Sequence, residues 1–273
     1  FSDILVIPDA LGQKVSFIET VGPKLDPINT IKDIKRLKSN NLYPHLKPIY
    51  ETIPYLIKNL PKDTALIGFS GAPWTLASYM IEGGTSKDFS KIRRWAYRAP
   101  EEFQVLIDCL IEAVSNHLIY QTDAGSEALQ IFDTWAGLLP TSQFQKWVIQ
   151  PTKKIVENVK QKHPHIPIIG FPKGAGINYE KFVVETAVDA VSVDSTLPLG
   201  WVNERIQPKC VVQGNLDNVC LLEGGPELDK SIDKILNKLS DGRLIFNLGH
   251  GVLPETPVSH IEYLIERVRK KRG

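Results

Sequence analysis

Apolar and polar positions change period repeatedly along this chain. Short, nearly continuous apolar runs occupy 65–69, 128–132, 166–171, 190–193, 210–212 and 244–246, and a seventh lies at 4–7. Runs of this length, bounded by Gly, Pro, Asp or Ser and lacking alternation, predict strands covered on both faces, as in a parallel sheet. Between them, apolar residues return every three or four positions, which predicts amphipathic helices over 75–82, 100–123, 141–162, 179–186, 228–239 and 258–271. In the longest of these, Phe103, Leu106, Ile107, Leu110, Ile111, Val114 and Leu118 form one apolar stripe.

Strand and helix in strict alternation predict a parallel α/β fold. No Gly-rich turn follows the first run, as a doubly wound sheet would favour; it leads instead into Pro8-Asp-Ala-Leu-Gly12. Polar residues also collect where strands end: Asp133 and Thr134, Lys173, Asp194, Gln213 with Asn215, and Asn247 with His250. That is the catalytic face of a (β/α)8 TIM-type barrel, so the pattern predicts such a barrel with its first strand missing from the given chain. No linker or low-complexity tract divides residues 1–273, which predicts a single domain.

Composition narrows the function. Hydrophobic residues make up 42% of the 273 and charged residues 23%, as in ordinary globular domains, and the formal net charge of +1 gives no field toward nucleic acid or a membrane. No apolar run approaches the roughly 20 residues of a spanning helix. Cys109, Cys210 and Cys220 are odd in number and far apart, which suits buried thiols in a reducing compartment rather than a disulfide framework. No cluster has zinc-ligand spacing, so no metal is expected. The basic end, Arg267 to Arg272, reads as a solvated helix terminus placed against the negative pole of the helix dipole. His163 and His165 read as solvated loop residues, and the five tryptophans mostly as packing. Lys173-Gly-Ala-Gly176 lacks the spacing of a phosphate cradle.

Five segments, in order and at barrel-like intervals, carry a resemblance. They are Phe-Ser-Asp-Ile-Leu at 1–5, the stretch from Gly68-Phe-Ser-Gly-Ala-Pro-Trp to Tyr79-Met-Ile-Glu-Gly-Gly84, Ile131-Phe-Asp-Thr-Trp-Ala-Gly137, Gln213-Gly-Asn-Leu-Asp217, and Asn247-Leu-Gly-His-Gly-Val252. Together they resemble the uroporphyrinogen decarboxylases, and the resemblance spans all 273 residues. It implies removal of the carboxyl groups from the four acetate arms of uroporphyrinogen III, giving coproporphyrinogen III, with no cofactor and no metal. It also implies a cytoplasmic homodimer that binds the substrate and product tetrapyrroles and has no nucleic-acid or membrane partner.

The same resemblance assigns roles. Asp3 is the catalytic carboxylate, which also binds substrate by accepting the pyrrole N–H groups. Tyr79 donates its hydroxyl to the substrate near Asp3, Thr134 hydrogen-bonds a substrate carboxylate, and His250 contacts a propionate or acetate. Read without the family, Asp3 is equally a turn or helix cap, Tyr79 a core residue, Thr134 a turn residue and His250 a structural histidine.

Family members begin with a strand ending in Met-Arg-Gln-Ala-Gly-Arg, whose arginines face the substrate, and the given residues contain no such segment. Arg93, Arg94 and Arg98 do not replace it, lying on an amphipathic stretch. The natural polypeptide is therefore expected to be longer. Two other readings compete. Related barrel methyltransferases use a zinc-bound thiolate, but their His-x-Cys pair does not occur here. A non-catalytic tetrapyrrole-binding protein would share the barrel without turning over substrate.

Overall fold

Six of the seven short apolar runs are strands. The computed structural model describes residues 3–18 and 22–270. In chain order its strands are β1 (Val15–Ile18), β2 (Gly22–Leu25), β3 (Ile67–Gly71), β4 (Ala128–Asp133), β5 (Ile168–Pro172), β6 (Ala190–Ser192), β7 (Val211–Leu216) and β8 (Leu244–Leu248). β1 and β2 form an antiparallel pair; β3 to β8 form a parallel sheet in sequential order. Gly68 lies opposite Leu129, Ile131 opposite Gly170, and Gln213 opposite both Ser192 and Ile245. Sequential parallel strands joined by helices form the wall of a TIM-type barrel. β5 and β6 are buried throughout, as their uninterrupted apolar runs require.

The run at 4–7 is not a strand. Residues Val6–Ala10 form a short helix, and the turn that starts it is closed by Asp3, whose Oδ1 accepts from Leu5 N–H at 2.7 Å. Four apolar residues fit a buried helix turn as well as a strand, and the local hydrogen bond decides the outcome. Phe1 and Ser2 of the same motif lie outside the described residues, as do Lys271 and Arg272.

The helices match their predicted stripes closely: Pro73–Glu82, Pro100–Asp123, Asn178–Thr186, Gly225–Leu239 and Val258–Lys270. The stretch predicted as one helix over 141–162 is Thr141–Phe144 and Gln150–Lys162, joined through a π-helical turn at Gln145–Ile149. A helix at Leu42–Asn59 was not predicted, because Pro48 and Pro54 lie inside it. Trp74 and Trp147, both fully buried, pack edge-on against the Phe103 ring at 6.0 and 4.7 Å, locking Pro73–Glu82 and Pro100–Asp123 to the turn at Gln145–Ile149. His163 is not free in solvent; its Nε2 lies 3.0 Å from Asp123 Oδ1.

Strand limits correct one further expectation. Gln213 and Asn215 lie within β7 rather than beyond it, and Asn247 lies within β8. Gln213 is buried, and its Nε2 donates to Gln130 Oε1 and Ser192 Oγ, both at 3.3 Å, in a polar layer across β4, β6 and β7. Asn215 Nδ2 donates to the carbonyls of Asp194 and Leu197, at 2.9 and 3.2 Å.

Candidate active site

The C-terminal ends of β3, β4, β5, β6 and β8 bring the candidate side chains to one face, and close backbone contacts set their positions. At the end of β3, a Cβ on Gly71 would meet Ile4 Cβ at 3.2 Å and Leu76 Cδ2 at 2.8 Å. The absence of a side chain there therefore lets the Asp3–Leu5 turn settle onto the strand end and onto helix Pro73–Glu82. The far end of that helix is tied to the same N-terminal segment. Gln13 Nε2 donates to the Met80 carbonyl at 3.0 Å, Ile28 N–H to the same carbonyl at 2.8 Å, and Leu25 N–H to Gly83 O at 3.0 Å.

Those ties place Asp3 and Tyr79 within electrostatic reach of each other. Burial raises the Tyr79 pKa above its ordinary value. The Trp135 indole, whose N–H is buried without a hydrogen bond of good geometry, offsets part of this, and the Asp3 charge raises it further. Tyr79 therefore keeps its proton through neutral pH and can act as a donor. Its ring meets that of Trp135 edge-on at 6.1 Å.

Thr134 follows β4 on a loop held from behind. Thr75 Oγ1 donates to Asp133 Oδ1 at 2.6 Å and accepts from Trp135 N–H at 3.2 Å, while Trp74 Nε1 donates to the Trp135 carbonyl at 3.0 Å. The helix carrying Tyr79 thus also fixes the loop carrying Thr134. Asp133 is 3% exposed, and its Oδ2 has no partner among the described residues. Burial raises its pKa to about 7, against the lowering effect of the Thr75 hydrogen bonds, so this carboxyl is largely neutral at pH values below that. Thr134 itself is half-buried and makes no side-chain hydrogen bond among the described residues.

His250 follows β8, the strand at the other end of the sheet order from β3, which precedes Tyr79. Gly249 precedes the histidine, where any Cβ would collide with the Ser195 backbone, and Gly249 N–H donates to Leu216 O at 2.7 Å. The imidazole packs against the Phe171 ring at 6.4 Å. Burial lowers its pKa below the ordinary 6.5, the Lys173 ammonium pushes the same way, and Asp194 opposes both. His250 is accordingly neutral at pH 7.

Of the four residues predicted from sequence, the structure brings Asp3 within electrostatic reach of Tyr79 and joins Tyr79 to the Thr134 loop through Trp135. His250 is grouped with Lys173 instead. Lys173, Asp133 and Asp194 were visible in the sequence as polar residues near strand ends, without assigned roles. Their signal was position; their burial and partners depend on contacts remote in sequence. Among the described residues no group of His, Cys, Asp or Glu could hold a metal ion, the three cysteines are free, and no helix is long and apolar enough to cross a membrane.

The family pattern described as uroporphyrinogen decarboxylase matches residues 1–271. The uroporphyrinogen decarboxylase of Rhodospirillum rubrum is 48% identical over 272 residues, covering 100% of this chain and 78% of that protein. The uroporphyrinogen decarboxylase of Rickettsia bellii is 43% identical over 274 residues, covering 99% and 79%. Among solved structures, a methyltransferase from Methanosarcina mazei superposes with a TM-score of 0.80 at 18% identity, covering 100% of this chain and 80% of its own. A B12-independent methionine synthase from a Shewanella species gives 0.57 at 13% identity, covering 96% and 76%. At such identities the structural likenesses speak for the barrel alone. The family match and the full-length relatives speak for more: this chain belongs to the uroporphyrinogen decarboxylase family.

Proposed function

We propose that the protein decarboxylates the four acetate arms of uroporphyrinogen III to give coproporphyrinogen III, with residues 1–273 acting as one domain. Loss of carbon dioxide leaves an electron pair that needs a sink. Protonation of a pyrrole carbon supplies one, an iminium-like cation beside the acetate arm. The C–C bond then breaks, its electrons neutralise the ring, carbon dioxide departs, a proton added to the exocyclic carbon makes the methyl group, and loss of the proton first placed on the ring carbon restores the pyrrole. An enzyme accelerates this by stabilising the cation more than the ground state.

In this reading the Asp3 carboxylate, an acceptor with two oxygens, faces the pyrrole N–H groups. Tyr79 donates to the arm being processed, Thr134 to a second carboxylate, and neutral His250 to a third. The observation that carries the reading is the seating of Ile4 on Gly71 at the end of β3, which holds the Asp3 turn within electrostatic reach of Tyr79. Family membership supports the substrate. The resemblance also supports a cytoplasmic homodimer whose clefts face each other, and sedimentation at micromolar concentration tests the dimer.

The activity is tested by supplying uroporphyrinogen under anaerobic conditions and following both gas and tetrapyrrole. Four carbon dioxide molecules released per coproporphyrinogen formed is the expected result. Porphyrin binding without release of gas would favour the binding-protein reading.

A further inference from the structure

Lys173 follows directly on Pro172, the last residue of β5, and its backbone is fixed on three sides. Its N–H donates to the carbonyls of Asp133 and Phe171, both at 3.1 Å, and its own carbonyl accepts from Gly137 N–H at 3.0 Å. The next residue, Gly174, donates its N–H to Asp194 Oδ2 at 2.8 Å. The two loops press so closely that a Cβ on Gly137 would meet Gly174 O at 2.6 Å. A flexible side chain is thus rooted in rigid backbone on the catalytic face.

Among the described residues the ammonium group has no carboxylate to match. Lys173 is half-buried, yet no ion pair involves it among the described residues, whereas Lys160, which is about as buried, sits 2.9 Å from Asp189. A lysine drawn out of water ordinarily gains a counter-charge. Asp194, the acid whose charge also reaches His250, is committed elsewhere. Its Oδ2 accepts from Gly174 N–H and from Tyr179 Oη at 3.0 Å, and its Oδ1 from both the N–H and the hydroxyl of Thr196. What remains beside the ammonium is His250.

We infer that Lys173 is a substrate-binding residue, its ammonium pairing with a carboxylate arm of the tetrapyrrole next to His250. This deepens the proposed function and rests on it, since an eight-carboxylate substrate is what makes an unmatched cation useful. The residue contacts substrate and takes no part in bond breaking, so its removal weakens binding more than turnover. Its rigid backbone also means that a charge of the same reach can replace it.

The test compares the wild-type protein with Lys173→Met, which keeps the aliphatic stem, and Lys173→Arg, which restores the charge, in anaerobic uroporphyrinogen turnover. A rise in KM of about 10- to 100-fold for Lys173→Met is expected, with kcat within about threefold and most of the loss recovered by Lys173→Arg. An unchanged KM in Lys173→Met, with the wild type active, overturns the role of Lys173 alone. If the wild type itself releases no carbon dioxide, the functional reading fails and the role of Lys173 falls with it. A second measurement needs no variant: acylation of lysines in the wild type, mapped by mass spectrometry with and without coproporphyrin. Protection of Lys173 beside unchanged labelling of Lys47 supports the inference, and equal labelling of Lys173 in both samples overturns it.

Discussion

Replacing Asp133 with Asn tests the buried carboxyl behind Thr134. Asp133 has a folded-state pKa of about 7, raised by burial from an ordinary 3.8. The folded protein therefore holds this proton more tightly than the unfolded chain does. The sign follows: the protonated form contributes stability fully below the unfolded value, and that stability is lost as pH rises toward about 7 and beyond it no further. The gap of about three pKa units corresponds to about 4 kcal/mol in all, of which about 2 kcal/mol falls between about pH 5.5 and about pH 8.5. Asparagine cannot titrate. Its carbonyl can still accept from Thr75 Oγ1, but its amide places an N–H where Oδ2 now has no partner, costing about 1–3 kcal/mol at every pH. Urea unfolding of both proteins across that range should show the stability of the wild type falling by about 2 kcal/mol relative to that of Asp133→Asn from the acid to the alkaline end. Taking the difference between the proteins cancels the titration of the six histidines. Parallel curves would mean that Asp133 is ionised in the folded protein throughout, and would refute the reasoning from burial.

Other perturbations probe the frame around the site. Gly137→Ala forces a Cβ into the Gly174 backbone, which cannot yield as a side chain would; we expect about 1–3 kcal/mol of destabilisation by denaturant unfolding and a fall in kcat/KM larger than stability explains. Tyr79→Phe keeps the ring packed on Trp135 and removes only the hydroxyl, so kcat should fall about 10- to 100-fold while the unfolding free energy moves by less than about 1 kcal/mol. The His250 imidazole, followed by NMR, should titrate below 6.5, and its midpoint should rise in Lys173→Met; a midpoint at or above 6.5 in the wild type would contradict the placement of the two groups.

Much of the barrel was legible because its strands are two-sided. Runs such as 166–171 have no polar residue, which leaves a covered parallel sheet as the simplest reading. The run at 4–7 was equally apolar, and its error is instructive: Asp3 closes a turn onto Leu5 N–H that periodicity does not register. Helix Leu42–Asn59 was hidden by its prolines, although Leu42, Leu46, Tyr50 and Ile53 do carry a buried stripe. In the site, Asp3 and Tyr79 were found through family motifs. What brings them within electrostatic reach, Ile4 seated on Gly71, joins residues too far apart in sequence for any local pattern to show. Asp133 and Lys173 stood in plain view at strand ends. Their chemistry became readable only when Thr75, 58 positions away from Asp133, and the fully engaged Asp194 were in place. Lys173 was further obscured by its glycine-rich neighbours, which drew attention to phosphate binding.

The central claim is that the Asp3 charge stabilises the protonated pyrrole, and Asp3→Asn in anaerobic uroporphyrinogen turnover tests it most directly. Asparagine can keep the turn, because its side-chain oxygen can still accept from Leu5 N–H, so the variant removes the charge while leaving the fold in place. The account predicts a fall in kcat of about 10²- to 10³-fold, with coproporphyrin binding retained within about tenfold. Turnover at the wild-type rate by Asp3→Asn would contradict it.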